Sequence, residues 1–253
     1  MNINDSKIFL EKGYIIFKIE EKDNLEIIKN TVRDSINVEN LSLAHERIKN
    51  NEINPRRIDA FKNLNKINNW ENVYYSLSSK YLENLLGPDI AIQSKLNLSI
   101  QMPQDKSSIL DLHTDSLSGQ SVFEVVSWTP LTDSYDSNSM FIFSPEMSKE
   151  ILNDMPNFHK SGMKELFEKY RKEAEFIDVK YGEGLIFSPT LFHGNVLNET
   201  NKTRISINCR FKNIFSHEAK LGERRLGSFY RILKISEVTK LGLSYRDDLI
   251  DFL

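Results

Sequence analysis

Three side chains in this sequence are spaced so that they could share a metal ion. His113 and Asp115 are one residue apart in Leu112-His113-Thr114-Asp115. In extended backbone alternate residues face the same side, so imidazole and carboxylate can converge. A second imidazole, His193, follows in Phe192-His193-Gly194-Asn195, after a predicted strand and before a polar loop. Two neutral imidazoles and a carboxylate on one face of an octahedral ion leave three positions open, a donor set that suits Fe(II). An Asp two positions after a His also arises readily by chance, and a structural His113 capped by Asp115 is the competing reading, so context has to decide.

Arg204 supplies some of that context. It lies eleven residues after His193 in Thr203-Arg204-Ile205-Ser206, on a strand face shared with Ser206. A guanidinium can hold a carboxylate such as the tail of 2-oxoglutarate through two parallel charge-assisted bonds, and the hydroxyl adds a third; the alternative is a surface ion pair. Gln101 shares the polar parity of its strand with Asn97 and Ser99 and could orient the co-substrate, or simply face solvent. Arg210 has the parity of Arg204 and could offer charge to an anionic substrate. Glu124 and Trp128 share one face of Phe123-Glu124-Val125-Val126-Ser127-Trp128, the first as a hydrogen-bonding group for a substrate hydroxyl and the second as an apolar wall or core residue. Asn195 and Asn198 could touch substrate or brace the loop. His45, His159 and His217 have no partner at metal spacing and read as surface residues.

Composition narrows the field. In 253 residues, 33 Lys plus Arg stand against 36 Asp plus Glu with no basic cluster, which argues against a nucleic-acid partner. No stretch approaches the roughly 20 apolar residues of a membrane span, and the start lacks the zones of a signal peptide, so a cytoplasmic protein is expected. One cysteine, Cys209, leaves no disulfide framework and no Cys-based zinc site. Any metal must use His and carboxylates.

The elements that must position these residues follow from periodicity. Gly13 to Ile19 reads as a strand, and Leu25, Ile28, Val32 and Ile36 then recur at helical spacing, so a strand followed by a helix opens the chain. One further helical pattern runs through Phe61, Leu64, Ile67, Val73, Leu77 and Leu82 to Gly87-Pro88. Strands are predicted over 90–101, 122–128, 139–143, 185–187 and 204–211, with a helical insertion between the third and fourth. No repeat or linker divides the chain, so one domain is expected over 1–253: a helical N-terminal region over 1–88, a jelly-roll core over 89–211 with its insertion near 148–175, and an extension over 212–253. The fold class is α+β, mainly β with flanking helices. The extension carries Lys220, Arg224, Arg225, Arg231 and Lys234 among apolar residues; it could close over substrate, bind phosphate, form a homo-oligomer surface or pack as an ordinary solvated helix.

The sequence resembles the Fe(II)/2-oxoglutarate-dependent oxygenases, particularly the phytanoyl-CoA dioxygenase-like branch. The resemblance rests on Gly13-Tyr14-Ile15-Ile16-Phe17, His113-Thr114-Asp115, and the block from Gly184 through Phe187, His193-Gly194, Asn198 and Arg204 to Phe211. More narrowly, Ser99-Ile100-Gln101-Met102-Pro103, the strand through Trp128-Thr129-Pro130-Leu131 and His193-Gly194-Asn195 look like the oxygenases found sporadically in bacterial carbohydrate-biosynthesis clusters. The resemblance implies a cupin-like double-stranded β-helix, Fe(II) on His113, Asp115 and His193, 2-oxoglutarate on Arg204, and O2 as oxidant. It implies hydroxylation of a small molecule, with a sugar or a nucleotide- or lipid-linked sugar suggested by the narrower match. Halogenation is disfavoured, because in that chemistry a small residue replaces the carboxylate ligand. Two other classes compete: a non-catalytic jelly-roll binding module, and a metal-dependent cupin-type enzyme that does not use 2-oxoglutarate.

Overall fold

The computed structural model describes residues 3–217 and 224–245. Helix α1 (Ile3–Lys12) precedes strand β1 (Tyr14–Lys18), so a helix and not a strand comes first. The signal was faint because few residues of this polar segment meet the core, Ile8 and Phe9 among those described. Helix α2 (Lys22–Ile36) buries Leu25, Ile28, Val32 and Ile36, the four positions that its period marked. The single helical pattern predicted next is three helices: α3 (Asn50–Leu64), α4 (Trp70–Ser76) and α5 (Ser79–Leu86). Asn69, at φ 55°, turns the chain into α4. The apolar period survives these breaks because all three helices pack on the same sheet.

Strands β2 (Ile90–Gln93) and β3 (Asn97–Gln101) divide the predicted 90–101 strand in two. There follow β4 (Glu124–Pro130), β5 (Met140–Ile142), helices α6 (Pro145–Asp154) and α7 (Met163–Tyr170), and β6 (Glu175–Phe176). The chain continues through β7 (Glu183–Phe187), β8 (His193–Asn195), β9 (Arg204–Asn213), β10 (Tyr230–Lys234) and α8 (Glu237–Leu243). The segment after 211 thus adds a strand as well as a helix; Lys220 lies outside the described residues. Seven strands form one sheet in the order β1-β7-β4-β9-β2-β10, with β3 also on β9, and three form a second, β6-β5-β8. Every pairing is antiparallel. These two facing sheets are the jelly roll expected from the sequence.

Three apolar clusters hold the layers together. Helices α2 to α5 cover the outer face of the large sheet, where Val125, Ile186, Ile205, Ile207, Cys209 and Phe211 point. Val126, Trp128, Leu185 and Phe187 point the other way and meet Met140 and Ile142 of the small sheet. Phe141 of β5 and Phe143 just after it are covered on their outer side by Ile151, Leu166 and Phe167 of the insertion. Strand β9 shows the principle most clearly: its odd-numbered residues from Ile205 to Phe211 are fully buried under the helices, and its even-numbered ones from Arg204 to Arg210 face the space between the sheets. A strand polar on its inner face and apolar on its outer face is built to line a polar cavity.

Candidate active site

That cavity has a volume of about 750 Å³ and is lined by His113, Asp115, His193, Arg204 and Arg210, among others. Cross-strand register sets its floor: Gln101 lies opposite Arg204, Ser99 opposite Ser206 and Asn97 opposite Asn208. On the other side of β9, Trp128 lies opposite Asn208 and Val126 opposite Arg210. Hence a polar ladder runs along one wall and an apolar patch of Val126, Trp128, Met140 and Phe187 along the other.

His113 lies in the long connection between β3 and β4, outside any regular strand. An antiparallel bridge ties it to His193, with N–O distances of 3.0 and 2.9 Å in the two directions. The rings lie 4.3 Å apart, and one ligating atom from each of His113, Asp115 and His193 falls within 4.8 Å of the others. Each ring nitrogen Nδ1 points at a backbone carbonyl two residues back, Asp111 O at 2.7 Å for His113 and Leu191 O at 2.9 Å for His193. A carbonyl only accepts, so Nδ1 carries the proton in both rings and Nε2 presents its lone pair to an ion. Burial, aided by the neighbouring His113, pulls the pKa of His193 down to about 4, so the ring is neutral at physiological pH. Burial works to raise the pKa of Asp115, but Arg210 and His193 outweigh it and hold the carboxyl below its usual range. A neutral His193 and an ionised Asp115 are in the protonation states that a divalent ion requires.

Gly194, next to His193, is there for space: a Cβ would come 2.7 Å from Leu110 O and 2.8 Å from the Phe141 ring. Asn195 accepts the N–H of Leu110 and donates to Ser108 O at 3.1 Å, so its amide fastens the loop to β8 while one edge borders the cavity. Asn198 is fully buried and braces the backbone, donating to Gln101 O and Lys202 O.

Arg204 is 4% exposed, and its Nε donates to Gln101 Oε1 at 3.1 Å and its Nη1 to Ser206 Oγ at 3.2 Å. Gln101 is oriented in turn by donating to Val196 O at 2.7 Å. The guanidinium stands 5.9 Å over the Trp128 ring. Burial lowers the pKa of Arg204 to about 10, which leaves it charged at neutral pH. Among the described residues no carboxylate pairs with it. A buried cation without a counterion is costly unless a ligand provides one.

Two of the sequence assignments change. Arg210 Nη2 is spent on Asp115 Oδ1 at 2.7 Å, and Nη1 donates to Gln93 Oε1 at 3.2 Å, so its main partner is the candidate metal carboxylate. Glu124 does not border the cavity: its side chain is fully buried, accepts from Tyr230 Oη at 2.6 Å and lies 3.7 Å from Arg210 Nε. It backs Arg210 from behind the cavity wall. Sequence parity placed Glu124 on the correct face but could not reveal Tyr230, 106 residues away.

Burial raises the pKa of Glu124 to about 7 against the opposing pull of Tyr230 and Arg210. The folded protein then keeps this proton up to about pH 7, whereas the unfolded chain loses it near 4.5. Wild-type stability therefore falls by about 3 kcal/mol from this group as pH rises through that window. Glu124→Gln lacks the titration and should gain that amount on wild type between pH 4.5 and 7; the opposite contribution of His193 is common to both proteins and cancels. Urea unfolding at several pH values measures the difference, and a constant gap would show that Glu124 does not titrate there.

Solved structures share this fold. The non-heme monooxygenase ThoJ, in its apo form, matches with a TM-score of 0.60 at 13% identity over 91% of this chain and 84% of that one. HygX from Streptomyces hygroscopicus, with nickel and 2-oxoglutarate bound, matches at 0.57 and 12% identity over 92% and 98%. The non-heme alpha ketoglutarate dependent carbocyclase SnoK from nogalamycin biosynthesis matches at 0.55 and 11% identity over 85% of both chains. No protein-family model and no curated protein sequence matches the chain. The likeness establishes a double-stranded β-helix with flanking helices.

Proposed function

We propose that this chain is an Fe(II)- and 2-oxoglutarate-dependent dioxygenase that oxidises a small molecule, with hydroxylation as the default outcome. The observation that carries the reading is Arg204, a buried cation that pairs with no carboxylate among the described residues, in one cavity with two Nε2-presenting histidines and Asp115. HygX, which shares the fold, holds nickel and 2-oxoglutarate in one solved form and iron in another. When bound, Fe(II) and 2-oxoglutarate supply the oxidation: O2 converts 2-oxoglutarate to succinate and CO2, and one oxygen atom enters a substrate C–H bond.

The protein's own role is binding and orientation. His113, Asp115 and His193 would hold the ion, and the Asp115–Arg210 bond at 2.7 Å occupies one carboxylate oxygen and leaves the other for the metal. Arg204 would receive the distal carboxylate of 2-oxoglutarate on Nη2, steadied by Gln101 and Ser206. Val126, Trp128, Met140 and Phe187 keep that wall of the cavity apolar, which strengthens the charged contacts inside. Asn97, Ser99 and Asn208 offer hydrogen bonds to a hydroxylated substrate, and this supports a sugar or sugar derivative. No helix among the described residues is long and apolar enough to cross a membrane, and the one thiol, Cys209, is buried and free; the free thiol suits a cytoplasmic enzyme.

The test is succinate release from 2-oxoglutarate with purified protein and a panel of sugar metabolites. Release should require added Fe(II) and O2 and vanish in His113→Ala. Metal binding without any 2-oxoglutarate binding would favour the cupin-type reading, and binding of neither a non-catalytic module.

A further inference from the structure

Besides Arg204 and Arg210, one more cation among the described residues lines the cavity, and it comes from outside the β core. Arg57 of α3 borders the same space as Asn97, Ser99 and Asn208, together with its neighbours Asn54, Ile53 and Phe61. Arg57 is exposed where Arg204 is buried, which puts it at the solvent end. Its Nη2 donates to Asn54 Oδ1 at 2.8 Å, a bond that restrains the guanidinium, and among the described residues it makes no ion pair. Asp105, a carboxylate that also lines the cavity, has its Oδ1 held by Ser107 N at 2.9 Å and Ser107 Oγ at 2.7 Å. With Arg204 allotted to 2-oxoglutarate and Arg210 to Asp115, Arg57 is the cation left for substrate among the described lining residues.

The polar ladder below it has matching hydrogen-bonding capacity to spare. Asn97 Nδ2 donates to Asn208 Oδ1 at 2.8 Å, so the pair still has Asn97 Oδ1 as an acceptor and Asn208 Nδ2 as a donor. A hydroxyl group both donates and accepts, and fits such a pair. We propose that Arg57 is a substrate-specificity residue that binds a phosphate or carboxylate at the cavity mouth, so that the substrate is a hydroxylated molecule bearing an anionic group, its hydroxyls on Asn97 and Asn208. This deepens the oxygenase reading and rests on it for the assignment of Arg204.

Isothermal titration of the anaerobic Fe(II)- and 2-oxoglutarate-saturated protein tests it, with glucose 1-phosphate, glucuronate and glucose as probes. Wild type should bind an anionic probe about fivefold to tenfold more tightly than glucose. Preference for glucose 1-phosphate assigns a phosphate, and preference for glucuronate a carboxylate. Arg57→Gln should bring the three affinities together and Arg57→Lys should restore some of the preference; the exposed position makes misfolding of these variants no obstacle. Equal affinities in wild type, absence of binding by all three, or an undiminished preference in Arg57→Gln would overturn the proposal. Loss of 2-oxoglutarate affinity in Arg57→Gln would also overturn it, by moving Arg57 into the co-substrate site. If wild type fails to bind 2-oxoglutarate, the oxygenase reading falls, and the same comparison without co-substrate still decides whether Arg57 holds an anion.

Discussion

Arg204→Met is expected to bind Fe(II) as wild type does and to lose 2-oxoglutarate affinity by about two to three orders of magnitude. The size follows from one or two charge-assisted hydrogen bonds at a buried site, about 1.5–3 kcal/mol each. The sign on stability separates this from simple damage to the fold. The guanidinium is buried and, among the described residues, has only Gln101 and Ser206 as side-chain hydrogen-bond partners, so an apolar chain of similar length removes an uncompensated charge. Without ligand, the variant should therefore unfold at or above the wild-type temperature, while the stabilisation that wild type gains from 2-oxoglutarate should be absent. Calorimetric titration and thermal melts with and without 2-oxoglutarate read both effects. A variant that melts well below wild type would mean that Arg204 serves the fold.

Asp115→Ala should abolish Fe(II) binding and also destabilise the metal-free protein by about 3 kcal/mol. Its partner Arg210 is only 14% exposed at the side chain and would be left with a weaker contact to Glu124 at 3.7 Å. For a chain of this length that is roughly a 6 to 12 °C fall in Tm. His113→Ala should lose the metal equally but cost less stability, because its ring is half-buried and its one side-chain hydrogen bond is to Asp111 O. The double variant Asp115→Ala/Arg210→Met should regain most of the lost Tm and none of the metal. If Asp115→Ala melts like wild type, the Asp115–Arg210 pair does not support the fold.

The features that sequence could reveal are those set by local period. Alternation in Arg204 to Phe211 marked the strand and put Arg204, Ser206, Asn208 and Arg210 on one face, where the structure has them. The one-residue spacing of His113 and Asp115 and the position of His193 pointed to side chains that the fold brings within reach of a single ion. What escaped is set by contacts distant in sequence. The use of Arg210 depends on Asp115, 95 residues away, and on Gln93, 117 residues away. The burial of Glu124 depends on β10, a strand whose sequence reads as a mixed charged and apolar segment. Arg57 and Asn54 had no local signal at all, since α3 reaches the cavity only by packing over β3. The breaks among α3, α4 and α5 were hidden because the apolar stripe continues across them against one sheet face.

The central claim is that His113, Asp115, His193 and Arg204 form one site for Fe(II) and 2-oxoglutarate. Anaerobic titration of Fe(II) into the 2-oxoglutarate-saturated protein tests it most directly, through the weak visible charge-transfer band of an iron-chelated keto acid. The band should rise to saturation at one equivalent in wild type and be absent in both His113→Ala and Arg204→Met at the same concentrations. Fe(II) uptake without the band in wild type, or a band undiminished in Arg204→Met, would contradict it.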